Sequence, residues 1–113
     1  MALLQEFIEA FGVWDVAQPY IDRMVDEQEM RLVVAMGGQA VTADRAAALL
    51  GTTADEAAAL LERCFTRGIV DRTVKDGITT YSATDFYTRL DFYVKFEDWN
   101  GIPAADRQAI DRR

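Results

Sequence analysis

The sequence predicts a mainly α-helical chain with a small β-hairpin, an α+β fold built as a winged helix-turn-helix with extra N-terminal and C-terminal helices. Three observations carry that expectation. Thr42-Ala43-Asp44 and Thr53-Ala54-Asp55-Glu56 each read as a helix start, with a Thr able to accept from a free first-turn N–H and acids where the helix dipole favours them. Gly51 stops the first of these helices so close to the second that the two must pack as a helix-turn-helix. Past Gly68 the period changes, and Asp76-Gly77 places a type I′ hairpin signal between two β-compatible runs, residues 69–74 and 78–81.

The elements follow in chain order. Leu4, Phe7, Ile8 and Phe11 recur at helical spacing, and Gly12 ends that first short helix. Pro19 pushes Gln18 out of helical geometry and suits a helix start. Ile21, Met24, Val25, Leu32, Val33 and Met36 predict one longer helix over residues 20–36, whose second half opens the winged-helix core. Gly37-Gly38 stops it, and residues 39–41 suit a short first strand. In the second helix of the motif, ending at Arg67, Thr53 and Glu56 form a full capping box. Ala57, Leu60, Leu61, Cys64 and Phe65 share its apolar face. A two-residue turn puts Val74 opposite Thr79 and Arg72 opposite Tyr81.

Ser82-Ala83-Thr84-Asp85 then caps a helix running from Asp85 to about Trp99. Phe86, Leu90, Tyr93 and Val94 form one apolar face, and Phe92, Phe96 and Trp99 a second, roughly opposite. The second face packs either on the N-terminal helix or on another subunit or domain. Asn100-Gly101 breaks this helix and Pro103 opens a last one. Together these read as a single domain over residues 1–113, with a helical extension at 1–24, a winged-helix core at 25–82 and C-terminal helices at 83–113.

Composition narrows the chemistry. At 113 residues, half of them hydrophobic, the chain can bury a core of its own. It contains no histidine and one cysteine, which excludes Ser/His/Asp and Cys/His catalysis, His-containing zinc sites and an internal disulfide. No apolar run reaches the length of a membrane span and no signal-peptide pattern opens the chain, so a cytoplasmic protein without a membrane partner is expected. No catalytic residue, no metal ligand and no cofactor of this chain is predicted, and the expectation is a non-enzyme. Cys64, on an apolar helix face, reads as a small buried hydrophobe.

Net charge is −7, and its distribution matters more than its size. Glu6, Glu9, Asp15, Asp22, Asp26, Glu27 and Glu29 crowd the first 30 residues against Arg23 alone. Residues 42–82, with six acids and five bases, are near neutral, without the basic stripe expected of a DNA binder. The DNA-contacting candidates are Thr53, Arg63, Thr66, Arg67, Arg72 and Lys75, on the second helix and the wing. Their bland reading is surface pairing with neighbouring acids. Phe86, Phe92, Phe96 and Trp99 are the candidate interface residues.

Two stretches carry a resemblance. Glu29-Met30-Arg31-Leu32-Val33-Val34-Ala35-Met36-Gly37-Gly38 leads into the helix-turn-helix. Asp85-Phe86-Tyr87-Thr88-Arg89-Leu90-Asp91-Phe92-Tyr93-Val94-Lys95-Phe96-Glu97-Asp98-Trp99 is followed by Ile102-Pro103. Together they resemble the winged-helix N-terminal region of bacterial and archaeal ferredoxin-like proteins that carry 4Fe–4S clusters further on, across about residues 29–113. The resemblance lies in packing residues. It implies a Cys-rich cluster domain downstream, none of whose ligands is present here. More generically, the helix-turn-helix and wing resemble small MarR-like regulators.

Two readings of function follow. The first is a non-catalytic winged-helix module that works by protein contact, dimerisation or regulation, as the N-terminal part of a 4Fe–4S redox protein. Its partner would be a second copy or a downstream domain. The alternative is a dimeric DNA-binding transcriptional regulator.

Overall fold

A computed structural model describes residues 2–96. Helix α1 (Ala2–Phe11) ends at Gly12, whose positive φ of 72° lets Gly12 and Val13 both donate back to the Ile8 carbonyl. A 3-10 turn (Asp15–Tyr20) leads into the four-residue helix α2 (Ile21–Met24). Phe7, Phe11, Ala17, Ile21 and Met24 enter the core. The extension is therefore packed structure, and α1 lies along α3 (Glu27–Met36).

The single helix expected over residues 20–36 is in fact two. Val25 is extended (φ −139°, ψ 129°), and Asp26 starts α3 afresh. Asp26 accepts from the Glu29 N–H while the Glu29 carboxylate accepts from the Asp26 N–H, each at 2.9 Å. This reciprocal box is worth more to the chain than helical continuity through Val25, because it satisfies two first-turn donors at once.

Helix α4 (Ala43–Leu50) is capped by Thr42 and stopped by Gly51, and α5 (Ala54–Thr66) is capped by Thr53. The full box expected at Thr53 is only half formed. The Glu56 N–H donates to Thr53 Oγ1, but the Glu56 carboxylate takes the Thr53 hydroxyl and leaves the backbone donor. The apolar face of α5 buries Ala57, Leu61 and Cys64, with Leu60 and Phe65 half-buried beside them.

Strands β1 (Val70–Lys75) and β2 (Ile78–Ala83) pair antiparallel, with Arg72 opposite Tyr81 and Val74 opposite Thr79, as the two-residue turn required. Asp76 and Gly77 both have positive φ, 53° and 77°, the type I′ condition that matches the twist of the strands. The small strand expected at 39–41 is reduced to a single bridge, in which Val41 and Tyr81 exchange two 2.8 Å backbone hydrogen bonds. Helix α3, the Val41 bridge, helices α4 and α5 and the hairpin follow one another in the order of a winged helix-turn-helix, flanked here by α1, α2 and α6 (Phe86–Phe96).

Asp85 caps α6 through the Thr88 N–H at 2.9 Å. Phe86, Leu90 and Tyr93 turn into the core, and Phe86 meets Trp14 edge-on at 5.2 Å between ring centroids. Among the described residues no helix is long and apolar enough to cross a membrane.

Candidate functional site

The outer side of α5 and the adjoining hairpin are the surfaces that a helix-turn-helix would offer to a nucleic acid. The first turn of α5 exposes Thr53, Ala54, Asp55 and Glu56. Two carboxylates at a helix N-terminus suit the dipole but repel phosphate. Thr53 is occupied with Glu56, and Thr66 donates to the Arg63 carbonyl at 2.8 Å.

Arg63, in the last turn of α5, and Arg67, its C-terminal cap, pair with acids at the start of α3. Arg63 Nη2 donates to Asp26 Oδ2 at 3.1 Å, and its Nε lies 3.7 Å from Glu29 Oε2. Arg67 Nη1 donates to both Glu29 oxygens, at 2.9 and 3.0 Å, and its Nη2 donates to the Met24 carbonyl at 2.8 Å. Glu29 has no exposed surface. Arg67 thus serves as the charge partner of a buried carboxylate, in line with the pairing alternative for the candidate DNA contacts. A guanidinium suits this task because its planar fork satisfies a carboxylate and a carbonyl together.

Burial is the largest influence on Glu29 and pushes its carboxyl up; the Asp26 N–H and the Arg67 and Arg63 guanidinium groups oppose that rise. The same environment acts on Cys64, whose Sγ lies 4.0 Å from Glu29 Oε2. Burial, reinforced by the Glu29 charge, pushes this thiol up to about 12. Cys64 is therefore expected to resist a disulfide reagent such as DTNB at pH 8 in the folded protein and to react fully once unfolded in urea. Rapid labelling of native protein would show that the thiol is accessible.

In the wing, Arg72 Nη1 donates to Glu62 Oε1 at 2.7 Å, and its guanidinium sits 4.3 Å above the centre of the Phe65 ring. Tyr81 donates its hydroxyl to the other Glu62 oxygen at 2.6 Å. That hydrogen bond, with the one from Arg72, holds the Glu62 carboxyl below its ordinary value, while burial and Glu62 raise Tyr81. Lys75 stands exposed near the tip, beside Val74 and Ile78, which are 66% and 58% exposed. The tip is thus apolar as much as basic.

Of the interface candidates, Phe86 is 1% exposed and belongs to the core, a correction that follows from its seat against Trp14. Phe92 and Phe96 lie on the backbone of α6, their side chains outside the described set, and Trp99 lies outside the described residues.

Sequence reasoning missed the partners of these arginines. Asp26-Glu27-Gln28-Glu29 carries the acid-x-x-Glu signature of a capping box, which a search for helix starts could have found. Arg89 was also missed, although it shares helical spacing with Phe86 and Tyr93 on a core-facing side. It is fully buried, donating to the carbonyls of Met24 and Arg67 at 2.7 and 2.9 Å.

A cleft of about 490 Å³ lies where α3, α4 and α5 meet. Leu50, Ala57 and Leu60 line it together with Arg31, Glu56 and Arg63. Leu49, 39% exposed, stands on the last turn of α4. Among the described residues no group of three or more His, Cys, Asp or Glu side chains could hold a metal ion. No protein-family model matches the chain, and neither does any curated protein or solved structure.

Proposed function

We propose that this chain is a non-catalytic winged-helix module that works through protein contact. The observation that carries the reading is the fate of the charges on α5. Arg63 and Arg67 face the carboxylates of Asp26 and Glu29, while Asp55 and Glu56 face solvent at the end a recognition helix would present to base edges. Nucleic-acid affinity comes mainly from displaced counterions, and an acidic first turn in a chain of net charge −7 works against it. The cleft between α3, α4 and α5, where Leu50, Ala57 and Leu60 join Arg31, Glu56 and Arg63, supports contact with a protein side chain.

Fluorescence anisotropy of a labelled mixed-sequence duplex in about 50 mM salt tests this directly. No saturable binding is expected below roughly 10⁻⁴ M protein, the weak end of non-specific binding. Micromolar binding with a steep salt dependence, lost on Arg72→Ala with Lys75→Ala, would overturn the reading. The dimeric DNA-binding regulator would take its place. That alternative draws on the helix-turn-helix and hairpin geometry itself, and on the exposed Lys75.

The resemblance to cluster-bearing ferredoxin-like proteins extends the proposal to an accessory role beside a 4Fe–4S domain. The complete native reading frame, expressed and purified without air, is then expected to give a brown protein with a broad band near roughly 400 nm. A colourless product would remove the redox context and leave the contact module standing.

A further inference from the structure

Three elements that are separate in sequence meet at one backbone carbonyl, and a fourth, α3, holds one of the two donors. The Met24 oxygen, at the end of α2, accepts from Arg67 Nη2 at 2.8 Å and from Arg89 Nε at 2.7 Å. Arg67 comes from the C-terminal cap of α5 and Arg89 from α6. Arg89 Nη1 also donates to the Arg67 carbonyl at 2.9 Å, so the two arginines share one acceptor and Arg89 also holds the backbone of Arg67. Glu29, from the first turn of α3, holds the Arg67 guanidinium through both its oxygens.

We propose that Glu29, Arg67, the Met24 carbonyl and Arg89 form a conformational latch that makes the seating of α6 and the end of α5 a single cooperative event. The physical reason is the sharing of parts. Two guanidinium groups converge on one oxygen, and a fully buried carboxylate lies on the far side of one of them. Withdrawing α6 removes Arg89 and leaves the Arg67 carbonyl without that donor. Moving Arg67 in turn exposes Glu29 to a low-dielectric site with less positive charge, an expensive state. Neither arginine can leave alone without cost to the other.

The end of α5 leads straight into the hairpin. Ile69 donates its N–H to the Cys64 carbonyl at 2.9 Å, Thr84 donates its N–H to the Ile69 carbonyl at 2.9 Å, and the Thr84 hydroxyl contacts the Gly68 and Ile69 carbonyls. A partner that lifts α6 therefore loosens the base of the wing, whatever surface that partner uses. The latch stands independently of the contact-module reading, because it concerns how this chain moves and not what it meets.

Native-state hydrogen exchange of the full chain over a series of sub-denaturing urea concentrations tests it without any substitution. The amides of residues 63–70 and those of α6 are expected to share one opening free energy and one urea slope. Their protection is expected to lie about tenfold or more below that of Leu32 and Val33 in α3. If α6 opens with its own smaller slope while residues 63–70 stay protected, the two are uncoupled and the proposal fails. It fails equally if residues 63–70, α6 and the α3 amides all open together, since no separate latch then exists.

Discussion

Arg67→Met is expected to destabilise the protein by about 3–5 kcal/mol, the usual cost of stripping a buried charge of its partner. The substitution keeps most of the side-chain volume and removes the two Nη1 bonds to Glu29 and the Nη2 bond to the Met24 carbonyl. Glu29 then remains fully buried, with Arg63 Nε 3.7 Å away as its nearest cation. Urea denaturation gives the free-energy difference directly. The second half of the prediction is more discriminating. Glu29→Met combined with Arg67→Met is expected to recover much of the loss, because an apolar pair of similar volume carries no desolvation penalty. If the double variant is as unstable as the sum of the two single variants, the charges are stabilising independently and the pair is not the reason for Arg67's position.

This pair also shows where sequence reading reaches its limit. The helix-turn-helix and the hairpin were legible because their signals are local. Thr42, Thr53, Gly51 and Asp76-Gly77 each act on neighbours within a few residues, and the turn alone dictates that Arg72 faces Tyr81. The partners of Arg63 and Arg67 lie 34 to 43 residues away along the chain. No periodicity encodes that approach; it arises when α3 and α5 cross. An arginine on a helix flank therefore reads as a surface cation until the packing is seen.

The break at Val25 shows a different limit. The apolar positions from Ile21 to Met36 fit one helical stripe, and only competition from the Asp26–Glu29 box divides them. Periodicity gives the buried face correctly, since Ile21, Met24, Val25, Leu32, Val33 and Met36 are all buried, while leaving the backbone between them open. Charge and helix position single out the DNA-facing candidates. Position was legible, but the destination of each charge was a tertiary matter.

Phe86→Ala is expected to cost about 3–5 kcal/mol, as large-to-small changes at fully buried aromatic sites do. Phe86 is 1% exposed, and its ring presents to Trp14 in the edge-on geometry that aromatic quadrupoles favour. Loss of the ring leaves a cavity between α6 and the segment that leads into α2, which such a short helix is poorly placed to close. Trp14 provides a local reporter, and its fluorescence is expected to shift to the red in the variant as water reaches the indole. The sequence reading of Phe86 as an interface residue makes the opposite forecast. An interface phenylalanine would change the association state, measured by sedimentation velocity, and leave the urea midpoint of the monomer nearly unmoved. A large fall in midpoint without a change in association assigns Phe86 to the core. It would then be the attachment of α6, together with Arg89 on the same helix, that fixes how the C-terminal helix is presented to a partner.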